Sequence, residues 1–260
     1  MNETDTYLPR HLVPELEDAL ASARVVNLIG PRQVGKTTLV RDLFGQGRFI
    51  TLDDAAILAA IDADPEGQLA SLMEDLKQVP IIIDEAQRSK KLALAIKRMV
   101  DTNRRKGQFV LTGSSNVFTT TEVADSLAGR MRTLKLWPLS VAEIERAPTN
   151  RFLDWAMQKD PALAQVPDPA SVSRSDYIDL ILAGGFPETR TIPLRSRQRQ
   201  YRDYVDAVVD RDVADILPIR KPDALRILID QMAARISCEI KTSELAKLTK
   251  LQRVTVDQYL

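Results

Sequence analysis

One short segment constrains the fold of this chain more than any other, a glycine-bounded loop that begins at Gly30. Its residues fit the phosphate-binding pattern G-x-x-x-x-G-K-S/T and are Gly30, Pro31, Arg32, Gln33, Val34, Gly35, Lys36, Thr37 and Thr38. The apolar run Val25–Ile29 before the loop is typical of a buried strand, and the segment after it has helical periodicity. A strand, a glycine loop and a helix N-terminus are together the context in which this pattern binds phosphate.

This context gives each part of the loop an expected role. The backbone N–H groups of the loop and the positive end of the helix dipole converge on phosphate oxygens. We expect Lys36 to reach the β- and γ-phosphates and the Thr37 hydroxyl to bind Mg²⁺. The sequence therefore predicts a nucleotide-binding protein.

Composition and charge exclude several other classes of protein. Lysine plus arginine and aspartate plus glutamate number 36 each, so no net charge attracts nucleic acid and any such contact must be local. A single cysteine, Cys238, excludes an intramolecular disulfide. The polar start Met1–Asp5 is unlike a signal peptide, and no run approaches the ~20 apolar residues of a membrane span. We expect a cytoplasmic protein without membrane contact.

Five β-prone runs predict a parallel sheet. They are Val25–Ile29, Arg48–Leu52, Val79–Asp84, Gln108–Thr112 and Arg132–Trp137. Their near-continuous hydrophobicity is typical of strands buried on both faces. Helical patterns lie between them: Thr37–Phe44, Asp54–Ala60, Glu66–Lys77, Lys91–Thr102 and Thr121–Leu127. This alternation predicts a doubly wound α/β core over residues 1–145, with ligands at the carboxyl ends of the strands.

After residue 145 the strand pattern disappears and helical patterns follow one another. They are Asn150–Lys159, Asp176–Ala183, Arg195–Leu217, Pro222–Arg235, Thr242–Leu248 and Val254–Leu260. We expect an all-helical lid over residues 146–220 and a partial winged-helix-like segment over residues 221–260. Because Leu260 falls on an apolar helix face, we also expect the chain to be a fragment of a longer one.

A second motif follows the third apolar run, where Ile81-Ile82-Ile83 leads into Asp84 and Glu85. An acidic pair that ends a buried strand is costly unless a cation or hydrogen bonds compensate it. We expect Asp84 to hold Mg²⁺ beside the phosphate loop and Glu85 to act as the general base on the attacking water. The alternative is a helix cap that follows the strand.

Small polar residues follow the fourth apolar run. Ser114 and Asn116 are both candidates for binding the γ-phosphate or positioning the water, the role called sensor 1 in AAA+ ATPases, and the sequence does not choose between them. The alternative to a sensor is an ordinary turn built from these small polar residues. No Asp-x-x-Gly motif of small GTPases directly follows the second apolar run. The chain also lacks their Asn-Lys-x-Asp motif and the Leu-Ser-Gly-Gly motif of ABC ATPases. Residues 140–260 also lack the second α/β motor of a helicase, so we expect ATP hydrolysis.

The order of these motifs resembles a prokaryotic AAA+-like ATPase family. The resemblance rests on Gly30–Leu39, Ile81–Gln87, Leu111–Ser115, Leu127–Arg130 continuing through Trp137–Ser140, and Gly184–Glu188. It implies an ATPase core, a helical lid, a winged-helix-like segment and a C-terminal domain that this chain does not reach. By the same resemblance Arg130, with Arg132 as the alternate, is a candidate arginine finger on the ATP of a neighbouring copy, which implies a homo-oligomer. A salt-bridged arginine is the alternative.

The last segment resembles a helix-turn-helix, because two short helical patterns flank a tight connection. Residues 242–260 are therefore a candidate contact for DNA or protein. The side chains that would bind DNA phosphates are Lys241, Lys247, Lys250 and Arg253.

Overall fold

The computed structural model describes residues 8–45, 49–74, 80–113, 127, 129–149, 157, 173–213 and 222–260. The chain divides into two compact units, residues 1–191 and residues 192–260. Ser114 and Asn116, most of the pattern Thr121–Leu127 and all of Asn150–Lys159 except Met157 lie outside the described residues. The division of the sequence into core, lid and winged-helix-like segment stays a prediction.

A five-stranded parallel sheet forms the centre of the first unit, which confirms the predicted fold class. Its strands are β1 (Val25–Ile29), β2 (Phe49–Thr51), β3 (Ile81–Asp84), β4 (Phe109–Gly113) and β5 (Met131–Lys135). They lie in the order β2-β3-β4-β1-β5. The carboxyl ends of β1 and β3 therefore flank that of β4, all at the carboxyl end of the parallel sheet.

Seven α-helices belong to the described part of this unit: α1 (Val13–Ser22), α2 (Lys36–Leu43), α3 (Ala55–Ala63), α4 (Pro65–Glu74), α5 (Lys90–Thr102), α6 (Val141–Ile144) and α7 (Arg174–Ala183). Single 3-10 turns cover Ala86–Arg88 and Glu188–Thr191. Helix α1 was not among the predicted elements. The sequence carries a helix signal here, because the apolar residues Leu16 and Ala19 are three positions apart and a proline lies at the start. In the structure both apolar side chains are fully buried.

The core consists of two apolar layers, one on each face of the sheet. Strand β3 shows why its sequence is apolar throughout, since Ile81 and Ile83 pack into one layer and Ile82 into the other. Helices α3, α4 and α5 cover the first layer, and α1 and α2 cover the second. Successive side chains of a strand point to opposite faces, so a sheet covered on both sides needs apolar residues at every position.

The second unit is helical in its described part, as the sequence predicts. It contains α8 (Leu194–Ala207), a π-helical turn over Val208–Val213, α9 (Pro222–Ala233), α10 (Thr242–Thr249) and α11 (Arg253–Tyr259). Its small core consists of Val209, Leu225, Leu228, Leu245 and Val256. In neither unit does a described helix have the length and apolar character needed to cross a membrane.

Candidate active site

The loop between β1 and α2 has a backbone shape that depends on its glycines. A Cβ on Gly30 would lie 2.3 Å from the Leu136 carbonyl oxygen, so no side chain fits there. Gly35 is the N-cap of α2 with φ +96°, a left-handed conformation that favours glycine. Gln33 is also left-handed, with φ +59°. Left-handed residues in such a turn direct successive N–H groups to one side and form an anion-binding concavity.

Lys36 and Thr37 begin the helix that follows this loop. The Lys36 side chain is buried, and its Nζ donates to the carbonyl oxygens of Gly30 and Pro31, both at 2.9 Å. The Thr37 hydroxyl donates to Oδ2 of Asp84 at 3.0 Å. The structure thus brings the lysine, the hydroxyl and the carboxylate of the two motifs together at the carboxyl end of the sheet.

Asp84 ends strand β3 and is buried, with 7% of its surface exposed. Its second carboxylate oxygen, Oδ1, accepts a hydrogen bond from the Thr112 hydroxyl. Thr112 lies on β4, the strand between β1 and β3, and is fully buried. Sequence reasoning missed this residue, although a lone hydroxyl near the end of an otherwise apolar run was a usable signal. Asp84 is therefore held from two neighbouring elements.

Glu85 follows Asp84 in a left-handed conformation, with φ +54°. This conformation costs a non-glycine residue on the order of 1 kcal/mol or more, and such strain is often found at functional sites. Its carboxylate accepts a hydrogen bond from Nε2 of Gln87. Burial raises the pKa of the Glu85 carboxyl above its usual value, and the Gln87 hydrogen bond only partly offsets that rise.

Arg130 lies at the amino ends of the strands, whereas the phosphate loop follows the carboxyl end of β1. It precedes β5, whose first residue pairs with Val25 at the start of β1. Its guanidinium forms an ion pair with Asp101 and thereby holds the pKa of that carboxyl below its usual value. The alternate candidate, Arg132, pairs with Asp18 at 2.5 Å. Neither arginine is near the phosphate loop of its own chain, and the finger role stays a prediction.

The two sensor candidates, Ser114 and Asn116, come directly after Gly113, the last residue of β4. They lie outside the described residues, so their roles also stay predictions.

The glycine-proline turn over residues 184–187 packs beside the phosphate loop. A Cβ on Gly185 would lie 2.5 Å from the Leu139 carbonyl oxygen, and the Leu139 amide donates to the Gly185 carbonyl at 2.7 Å. Cγ of Pro187 lies 3.9 Å from the position of a Cβ on Gly35. The glycines and the proline of this segment predict a turn at the end of α7, and the structure gives that turn a physical role as a wall of the loop.

The sheet order and the loop between β1 and α2 define an α/β P-loop NTPase-like fold. Residues 22–145 match the family model described as an AAA domain (AAA_14), and this span includes the phosphate loop, Asp84, Glu85 and Arg130. Residues 174–260 match a second family model, described only as a domain of unknown function (DUF8612).

Curated relatives match almost the whole chain, among them two uncharacterized proteins. The uncharacterized protein Rv2008c of Mycobacterium tuberculosis is 28% identical over 254 residues, which covers 96% of this chain and 50% of the relative. The uncharacterized protein MJ1544 of Methanocaldococcus jannaschii is 22% identical over 262 residues, which covers 95% of this chain and 56% of the relative. The chain thus spans about half the length of the curated relatives it matches.

Solved structures with some similarity include the ORC1 protein of Aeropyrum pernix in complex with DNA. The match covers 98% of this chain and 82% of that one, with 14% identity and a TM-score of 0.42. Another is AMPPCP-bound DnaA from Aquifex aeolicus, which covers 95% of this chain and 84% of that one, with 16% identity and a TM-score of 0.38.

Proposed function

We propose that this protein binds ATP together with Mg²⁺ and hydrolyses it to ADP and phosphate. The observation that carries the proposal is the 3.0 Å contact between the Thr37 hydroxyl and the Asp84 carboxylate, beside the buried Lys36. These three groups come from two separate motifs and meet at the N-terminus of α2, where the helix dipole favours an anion.

In this proposal the phosphate loop binds the triphosphate. The residues that contact it are Gly30, Pro31, Arg32, Gln33, Val34, Gly35, Lys36, Thr37 and Thr38. Lys36 exchanges its two carbonyl partners for phosphate oxygens. Gly30 and Gly35 allow the loop to keep its shape, because a Cβ on Gly30 would clash with the Leu136 carbonyl and Gly35 is left-handed.

The residues present fit Mg²⁺. This ion usually keeps several waters and takes only one or two carboxylates besides the phosphate oxygens, so Thr37 and Asp84 suffice to hold it. Bound Mg²⁺ supplies neutralisation of the charge that develops on the phosphoryl oxygens.

Glu85 is the general base. A water oxygen attacks the γ-phosphorus, the bond to the β–γ bridging oxygen breaks, and the water gives its proton to Glu85 as ADP leaves. The Gln87 amide restrains the carboxylate that accepts this proton. Ser114 or Asn116 contacts the γ-phosphate, and Arg130 of a neighbouring copy stabilises its charge. Hydrolysis then drives movement of the helical part beyond residue 145, or assembly of copies.

The second candidate function is a slow nucleotide-dependent switch that contacts DNA or protein through α10 and α11. These helices flank Lys250, whose left-handed backbone (φ +55°) ends α10. Their buried residues Leu245 and Val256 pack together with α9 in a small core, as in a helix-turn-helix. The side chains available for phosphate contacts are all exposed: Lys241, Lys247, Lys250 and Arg253.

Steady-state ATP turnover by the purified protein, with and without duplex DNA, tests both functions. An ATPase turns over ATP in either condition, whereas a switch shows almost none without an activator. We expect Lys36→Ala to bind ATP at least about tenfold more weakly and to lose turnover. We expect Glu85→Gln to bind ATP while turnover falls by about 10²-fold or more. Unchanged turnover in both variants would contradict the assignment of this site.

A further inference from the structure

Arg10 is a buried arginine that lies directly against the back of the phosphate loop. Only 6% of its surface is exposed. Its Nη1 donates to the Val34 carbonyl at 2.9 Å, its Nη2 donates to the Trp137 carbonyl, and its Nε donates to Oε1 of Glu143 at 3.2 Å. One guanidinium therefore joins the loop, the segment after β5 and helix α6.

A buried charge of this kind needs a partner, because desolvation of a guanidinium is costly unless it is paired and hydrogen-bonded. Glu143 supplies the opposite charge with 7% of its side chain exposed. It is itself fixed by the amides of His11 at 2.7 Å and Ser140 at 2.8 Å, the latter in a capping box at the start of α6. The arginine is thus anchored in one orientation.

The bond from Arg10 to Val34 determines where the next amide points. The described backbone contains no cis peptide, so the peptide between Val34 and Gly35 is trans, and its carbonyl and N–H groups point in opposite directions. With the carbonyl held on the Arg10 side, the N–H of Gly35 is directed to the opposite side. Arg10 approaches closely, with Nη1 3.6 Å from the position of a Cβ on Gly35.

We propose that Arg10 is a positioning residue that presets the amides of the phosphate loop for the phosphate chain, with Glu143 holding the arginine in place. This inference rests on the proposed function. Arg10 does not touch the ligand; it fixes a backbone group that does. A loop already in its binding shape loses less conformational freedom on binding, and affinity increases accordingly.

The test compares Arg10→Lys with Arg24→Lys. Lysine keeps the charge but lacks the planar fork needed to reach three acceptors at once. Arg24 is a matched control in the same unit, since it donates to the Val100 carbonyl at 3.2 Å and pairs with Asp101 at 3.7 Å, remote from the phosphate loop. Calorimetric titrations with Mg·ATP and with inorganic tripolyphosphate, well below the melting temperature of each variant, measure affinity separately from stability.

We expect Arg10→Lys to bind both ligands about tenfold more weakly, because the loop must then be ordered during binding, and Arg24→Lys to match the wild type. Tripolyphosphate carries no base or sugar, so a parallel loss locates the effect at the phosphate loop. If Arg10→Lys does not fold, Arg10→Met combined with Glu143→Gln avoids an unpaired buried charge, and we expect the same loss.

Wild-type affinity in a folded Arg10 variant with a lowered melting temperature would overturn the inference, because Arg10 would then serve stability alone. The proposed function would survive that result. Absence of binding by the wild-type protein would instead overturn the proposed function, and the inference with it.

Discussion

At the residue scale, the side chains around the phosphate loop are ordered by hydrogen bonds with defined partners. The Thr37 hydroxyl and the Thr112 hydroxyl each donate to one oxygen of Asp84. Lys36 donates to two loop carbonyls, and Arg10 holds a third. A buried carboxylate or cation is costly without such partners, so the network explains how these charges are accommodated in an apolar core.

Motif positions predicted part of this network, because Lys36, Thr37 and Asp84 have roles that depend on local sequence. Thr112 and Arg10 were not predicted. The role of Thr112 depends on β4 lying between β1 and β3, and the role of Arg10 depends on the segment before α1 folding against the loop. The partners of both residues therefore depend on how the chain folds, even though the lone hydroxyl of Thr112 in an apolar run was a local signal.

Glu143 makes the stability of the fold sensitive to acid. Burial alone would raise the pKa of this carboxyl. Hydrogen bonds from the Ser140 and His11 amides, together with the charge of Arg10, lower the pKa by more than burial raises it, so it lies below the usual value. A carboxylate with a depressed folded-state pKa stabilises the protein above its unfolded pKa, about 4.3, and this contribution is lost as pH falls through the folded value.

We therefore expect Glu143→Gln to lower the free energy of unfolding at pH 7 by about 1–3 kcal/mol and to make stability less dependent on pH below about 4.3. Urea denaturation at several pH values measures both effects. Glu66→Gln is the control, because Glu66 forms only a surface pair with Arg98 and should change little. An identical pH dependence in Glu143→Gln and the wild type would contradict the assignment.

At the scale of elements, the strands were the most predictable part of the chain. Each predicted run contains or closely overlaps an observed strand. Burial on both faces explains the apolar pattern of β3 and β4, which are buried throughout, whereas β5 at the end of the strand order is mostly half-buried or exposed. The neighbours of each strand were not predictable in the same way. They depend on crossovers through α2, α3, α4 and α5, whose packing is a property of the folded unit.

The turn over residues 184–187 allows a prediction at this scale. We expect Gly185→Ala to destabilise the protein by about 1–3 kcal/mol, since the new Cβ would lie 2.5 Å from the Leu139 carbonyl oxygen and 2.9 Å from Cβ of Pro138. Thermal denaturation measures the loss. Gly45→Ala is the matched control, because its Cβ meets only the Arg41 carbonyl oxygen at 3.4 Å. Equal stability of the two variants would show that the turn does not pack tightly.

At the scale of the whole molecule, the role of Arg130 as an arginine finger between copies of the chain stays a prediction. Arg130 lies at the amino end of the sheet, opposite the end that carries its own phosphate loop, so it does not contact a nucleotide in that loop. Its ion pair with Asp101 is the contact expected if the residue has a structural role instead. The sequence indicates an arginine finger only through its resemblance to the AAA+-like family, because a contact between copies leaves no periodic pattern in the sequence of one chain.

We expect Arg130→Ala to bind ATP normally but to lose turnover by about 10³-fold, the usual contribution of an arginine finger. Wild-type turnover per chain should also rise with protein concentration. The control is Arg98→Ala, which removes an exposed arginine paired with Glu66. Turnover that is unchanged in Arg130→Ala, in protein of normal stability, would restrict this residue to its ion pair with Asp101.

The central claim is that a nucleoside triphosphate binds where β1 meets α2, with Mg²⁺ between Thr37 and Asp84. Calorimetric titration of Mg·ATP into the wild type and into Lys36→Ala measures this most directly. We predict saturable binding of one nucleotide per chain by the wild type and at least about a tenfold loss of affinity in the variant, as expected when a charged phosphate contact is removed. No binding by the wild type, or equal binding by both proteins, would contradict the claim.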